Sequence, residues 1–106
     1  MEVIKTMKVN TKILDEQIIF NEVVRKLEIK KYWNSHENKV DCGTETFEDV
    51  EVKIVKTVVE YNFKSTDKYI EEYWVLYINN DRIEGDITRI KRLKTKIVLE
   101  NCIGRG

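Results

Sequence analysis

The alternation of apolar and polar positions is clearest between residues 69 and 90. Tyr69 to Ile78 alternate, Asn80-Asp81 follows, and Arg82 to Ile90 alternate again. Two such runs around a pair that tolerates φ > 0 predict a β-hairpin with a two-residue turn. With Asn80-Asp81 at the turn centre, one face pairs Ile78/Ile83, Leu76/Gly85, Trp74/Ile87 and Glu72/Arg89. That face is apolar, and Gly85 leaves room beside the Trp74 ring. The other pairs Tyr77/Glu84, Val75/Asp86 and Tyr73/Thr88, a mixed surface.

Elsewhere the period changes. Residues 2–13 alternate, with Val3, Met7, Val9 and Ile13 on one side, and predict a strand. Asp15 offers an N-cap with Glu16 in the first turn. Phe20, Val23, Val24 and Leu27 then follow helical spacing, which predicts a helix over about 15–30. Tyr32 to Thr46 has no period and reads as a loop. From Phe47 the β signal returns on even positions (Val50, Val52, Ile54) and switches to odd ones (Val59, Tyr61, Phe63), predicting a bulge near Val55–Val58. Lys64 to Lys68 makes a polar turn. Pairing Phe63/Ile70, Val59/Trp74 and Val55/Ile78 extends the apolar face. A last strand, Thr95 to Ile103, follows a turn at Arg92-Leu93-Lys94 and pairs Ile87/Leu99 and Ile83/Ile103. That register sets Asp86 against Glu100.

These elements predict one α+β domain over residues 1–106. An N-terminal strand and one helix pack on a four-stranded antiparallel meander, because only the meander's apolar face can bury the helical stripe. The order resembles the cystatin-like (monellin-like) layout in topology alone, since the inhibitory Q-x-V-x-G loop of cystatins is absent. The alternative is a small barrel: Ile83-Glu84-Gly85-Asp86-Ile87 followed by Ile97-Val98-Leu99-Glu100-Asn101 resembles two bent strands of an Sm-like or SH3-like barrel.

Charge and composition narrow the chemistry. Net charge is zero but unevenly spread: residues 37–72 carry ten acidic and five basic side chains, and residues 82–106 seven basic and three acidic. Such an arrangement can orient a charged partner. No apolar run approaches the ~20 residues of a membrane span. Lys5, Lys8 and Lys12 interrupt any signal-like stretch, so the expected location is cytoplasmic. The chain has no proline and no alanine, a bias resembling that of AT-rich genomes, their phages and mobile elements. Cys42 and Cys102 are too few for a disulfide framework and are expected as reduced thiols. With His36 they offer three zinc ligands, one short of a structural site, so no metal or other cofactor is expected.

Catalytic constellations are missing from the sequence. His36 sits in a polar segment, the glycines form neither G-x-G-x-x-G nor a P-loop, and Glu48, Asp49 and Glu51 alternate across a strand. The expectation is a non-enzymatic module. Its first candidate surface is the mixed sheet face, where Tyr73, Val75 and Tyr77 line up with Val58, and Glu84 and Asp86 form a charged rim. That is the anatomy of a protein–protein contact or a self-association surface. The alternative is a nucleic-acid surface on the basic turn, Arg89, Lys91, Arg92, Lys94 and Lys96, five cations in eight residues. A small protein-binding module suits an accessory or inhibitor protein of a phage or mobile element.

Overall fold

The computed structural model describes residues 10–34, 38–62 and 68–104, and every regular element in it is a strand. These are β1 (Asn10–Asn34), β2 (Lys39–Asn62), β3 (Lys68–Ile78), β4 (Asp81–Arg92) and β5 (Ile97–Ile103). Neighbours in chain order pair antiparallel. A parallel seam between β1 and β5, from Leu27↔Ile97 to Trp33↔Ile103, closes the sheet into a barrel. The expected α+β fold is therefore wrong. Residues 15–30 lie inside β1, and most of the expected loop at 32–46 continues the β1–β2 hairpin. Among the described residues no helix is long and apolar enough to cross a membrane. Val3, Met7, Val9, His36, Phe63, residues 64–67 and Arg105 lie outside the described residues.

β1 looked helical because it is bent. Twenty-five residues of straight strand would span about 80 Å, whereas the described molecule is 50 Å in its longest dimension. Leu14 and Ile19 are extra residues relative to β2, marked by register shifts between Ile13/Asp15 and Ile18/Phe20. Each bulge reverses the inward–outward parity of the residues after it. A further bend comes at Asp49, whose φ is 53°. Val24 and Val50 point inward on one side of it and Leu27 and Phe47 on the other, with exposed pairs of residues between them on both strands. Phe20, Val24 and Leu27 thus acquire helix-like spacing from strand geometry alone. The bulge expected near Val55–Val58 is not in β2, which pairs with β3 without interruption from Val52 to Asn62. The parity break falls on β1 instead.

The β3–β4 hairpin exists with its turn one residue earlier than expected, so the pairs beside the turn are displaced by two residues, whereas Val75 opposite Asp86 is as expected. Asn79 and Asn80 are the central turn residues, with φ of 50° and 69°. Ile78↔Asp81, Tyr77↔Arg82 and Leu76↔Ile83 follow, and then Glu84 and Gly85 bulge so that Val75 meets Asp86. Asn79 decides the position. Its Oδ1 accepts from Glu51 N–H at 2.9 Å and its own N–H donates to Glu51 O at 2.8 Å, docking the turn on β2. Gly85 therefore lies against Asn101, and not beside Trp74. The β2–β3 register also shifts, to Val55↔Val75 and Lys56↔Trp74. On β5, Asp86 pairs with Cys102 and Arg89 with Glu100, which replaces the expected Asp86/Glu100 repulsion by a 3.9 Å ion pair.

The barrel interior is aliphatic: Leu27, Ile29, Val52, Ile54, Leu76 and Leu99 are fully enclosed, with Phe20, Ile87 and Ile97 around them. The inward assignment of Trp74, Leu76 and Ile78 holds, and Trp74 packs against this cluster half-buried. Below it, residues 10–18, 55–62 and 68–74 of β1, β2 and β3 continue as a three-stranded arm.

Candidate functional site

The bulges on β1 do more than bend it. They return Ile13, Ile18 and Val23 to the same face at intervals of five residues, opposite Val59, Val55 and Glu51. β2 then carries that face to β3 through Tyr61↔Tyr69, Thr57↔Tyr73, Val55↔Val75 and Lys53↔Tyr77. The outer face of β1–β2–β3 is thus three strands wide. An aliphatic row, Ile18–Val55–Val75, crosses its middle, and tyrosines stand on both sides of that row. Ile13, Ile18, Val23 and Tyr69 are exposed, Ile18 by 55%, while Val75 and Thr57 on the same face are buried.

The tyrosines are fixed to one another. The Tyr61 and Tyr69 rings stack with centroids 5.2 Å apart. The Tyr61 and Tyr73 hydroxyls lie 2.6 Å apart, and Tyr73 donates onward to the Glu71 carboxylate. On the other side, the Lys53 ammonium sits 5.0 Å from the centre of the Tyr77 ring. Held side chains lose little rotamer freedom when something binds over them.

The residues expected on the mixed face are mostly brought together. Tyr73, Val75, Tyr77 and Asp86 share it, and Glu84 lies in the bulge at its margin. Val58 does not belong: it pairs with Glu72 and Asp15 and points to the other side. Ile13 and Ile18 were missed because their strand was read as a strand end and a helix. Five-residue spacing of aliphatics on a bulged strand is the signal that could have found them.

The basic segment is largely spent within the fold. Arg92 grips Glu22 through both guanidinium nitrogens at 2.5 and 3.3 Å, Lys96 reaches Glu28 at 2.6 Å, and Arg89 reaches Glu100 at 3.9 Å. The Arg92 hydrogen bond holds the Glu22 carboxyl below its usual pKa, and Lys96 does the same for Glu28; Glu22 in turn raises Arg92. Lys91 and Lys94 are exposed and have no ion pair among the described residues. An open cleft of about 360 Å³ beside this segment is lined by Lys26, Leu27, Glu28, Phe47, Thr95 and Lys96, among others.

Cys42 is the extra residue opposite the Lys31/Tyr32 step, Cys102 pairs with Tyr32 from β5, and both are free thiols. Among the described residues no three His, Cys, Asp or Glu side chains converge on a metal position. No family model matches the chain, and no curated protein or solved structure matches it significantly.

Proposed function

We propose that the chain is a small cytoplasmic, non-enzymatic protein-binding module, and that its contact surface is the outer face of β1–β2–β3. The observation that carries this is the concentration of exposed Ile13, Ile18, Val23 and Tyr69 on one sheet face, which they share with Val55 and the buried Val75. Aliphatic side chains are common singly on a solvated strand. Here Ile13 adjoins Val59, and Ile18 adjoins Val55 and Val75, in two apolar rows across the strands with Glu16 and Thr57 between them. Grouped apolar surface of this kind marks contacts. Immobilised tyrosines are favoured anchors in such contacts. The nucleic-acid reading of residues 89–96 has less support, because Arg89, Arg92 and Lys96 already neutralise carboxylates of this chain. An accessory or inhibitor role in a phage or mobile element fits a module of this size.

The test compares proteins captured from the native host by three forms of the chain. Ile13→Glu/Ile18→Glu alters the face, and Lys91→Ser/Lys94→Ser alters the basic turn. Both pairs are exposed, so both variants are expected to melt close to wild type. A partner bound by wild type and by the basic-turn variant, and lost from the face variant, is the expected result. Partners lost only from the basic-turn variant would overturn the assignment.

A further inference from the structure

The rim of this face points to the chemistry of what it binds. Sharing the face with the aliphatic row among the described residues are the carboxylates Glu16 and Glu51 and the cations Lys53 and Arg82, while Glu71 and Asp86, also on it, have partners of their own. Lys53 is already held over Tyr77. Glu16 lies across Thr57 from Tyr73, between Ile13 and Ile18, and Glu16, Glu51 and the marginal Glu84 are all exposed. We infer that the partner presents a basic segment with alternating aliphatic side chains, its cations set on Glu16 and Glu51 and its aliphatics on Ile13, Ile18 and Val55. This rests on the proposed contact face and adds the identity of the ligand's charge.

Two features of the face argue for it. A carboxylate beside an apolar row favours a cation whose stem can lie along that row, as lysine and arginine stems do. A tyrosine ring also accepts a cation over its face, and the chain does this with its own lysines at Tyr77 and, 4.3 Å from the ring centre, at Tyr32. Tyr69, stacked on Tyr61, stands half-exposed on the same face.

The chain supplies its own control. A second acidic site, Glu48 and Asp49 on β2 next to the Lys31–Glu45 ion pair, is exposed but has no tyrosine or exposed aliphatic row beside it in the β1–β2 register. The probe is a synthetic peptide of alternating arginine and leucine, with an alternating glutamate–leucine peptide as counterpart, read by amide chemical shifts of the isotope-labelled full chain. The expected result is shifts at Ile13, Glu16, Ile18, Val55, Tyr69 and Tyr77 with the arginine peptide and none with the glutamate peptide. Affinity should fall about tenfold or more in Glu16→Lys/Ile18→Lys, two changes within one contact. Shifts centred on Glu48 and Asp49 would show simple charge attraction and overturn the inference, as would equal response to both peptides or none to either. Host partners still lost from Ile13→Glu/Ile18→Glu, in a chain that ignores the arginine peptide, would retain the face and reject the basic ligand.

Discussion

Asn101 and Gly85 show how much of this barrel depends on one contact. Asn101 is buried on β5, its amide donates to Glu84 O at 3.0 Å, and its Oδ1 has no hydrogen-bond partner among the described residues. A buried amide oxygen left unpaired costs on the order of 1–3 kcal/mol. What the arrangement achieves is to hold the Glu84–Gly85 bulge where β4 leaves β3 for β5. Gly85 has φ of 101°, and a Cβ there would lie 2.2 Å from Asn101 Oδ1 and 2.8 Å from Cys102 O. Backbone strain and collision act together, so Gly85→Ala should cost about 2 kcal/mol or more in chemical denaturation. A loss below half of that would mean that the bulge relaxes easily and is not what guides β4 to β5.

At the scale of elements, β3 and the existence of its hairpin are legible because β3 alternates without a bulge along its whole pairing with β2. The turn was misplaced by one residue because Asn79, Asn80 and Asp81 all tolerate φ > 0; the choice is made by Asn79 bonding to Glu51, twenty-eight positions away. β1 was misread because the cues are local and its bulges answer to tertiary pairing. Phe20, Val24 and Leu27 read identically as a helix stripe and as a strand bent once, between Val24 and Leu27. Of the candidate face, the β3 residues were visible and the β1 residues were not, for that same reason. Two ion pairs, Arg92–Glu22 and Lys96–Glu28, tie the β4–β5 turn back to β1, and they carry a pH signature. Both carboxyls titrate below the ordinary value of 4.5. Their contribution is therefore present above that value and lost as pH falls through the depressed one. Wild type should exceed Glu22→Gln/Glu28→Gln in stability at neutral pH, with the gap closing in acid and narrowing in salt, since these groups are solvent-exposed. A gap that is constant across pH would show that the pairs contribute nothing electrostatic.

The whole molecule divides into a closed barrel, which holds the enclosed aliphatic core, and an arm, which carries the exposed Ile13, Leu14, Ile18 and Ile70. The parallel β1–β5 seam is what turns an open meander into a closed surface. Leu99 sits at its centre: paired with Ile29 and Ile90, it is fully buried. Leu99→Ala should leave a cavity walled by three strands and cost about 2–5 kcal/mol, a large part of the ~5–15 kcal/mol that keeps a domain folded. Ile18 is as aliphatic and lies on the same sheet, but its side chain is 55% exposed on the arm. Ile18→Ser should therefore cost about 1 kcal/mol or less, mainly through lost contact with Val55. Parallel denaturation curves would test the ordering, with Ile18→Ser also examined for loss of binding. If the two variants lost equal stability, the arm would be as much a part of the core as the seam. Its outer face would then be structural surface, and the binding proposed for it would need another location.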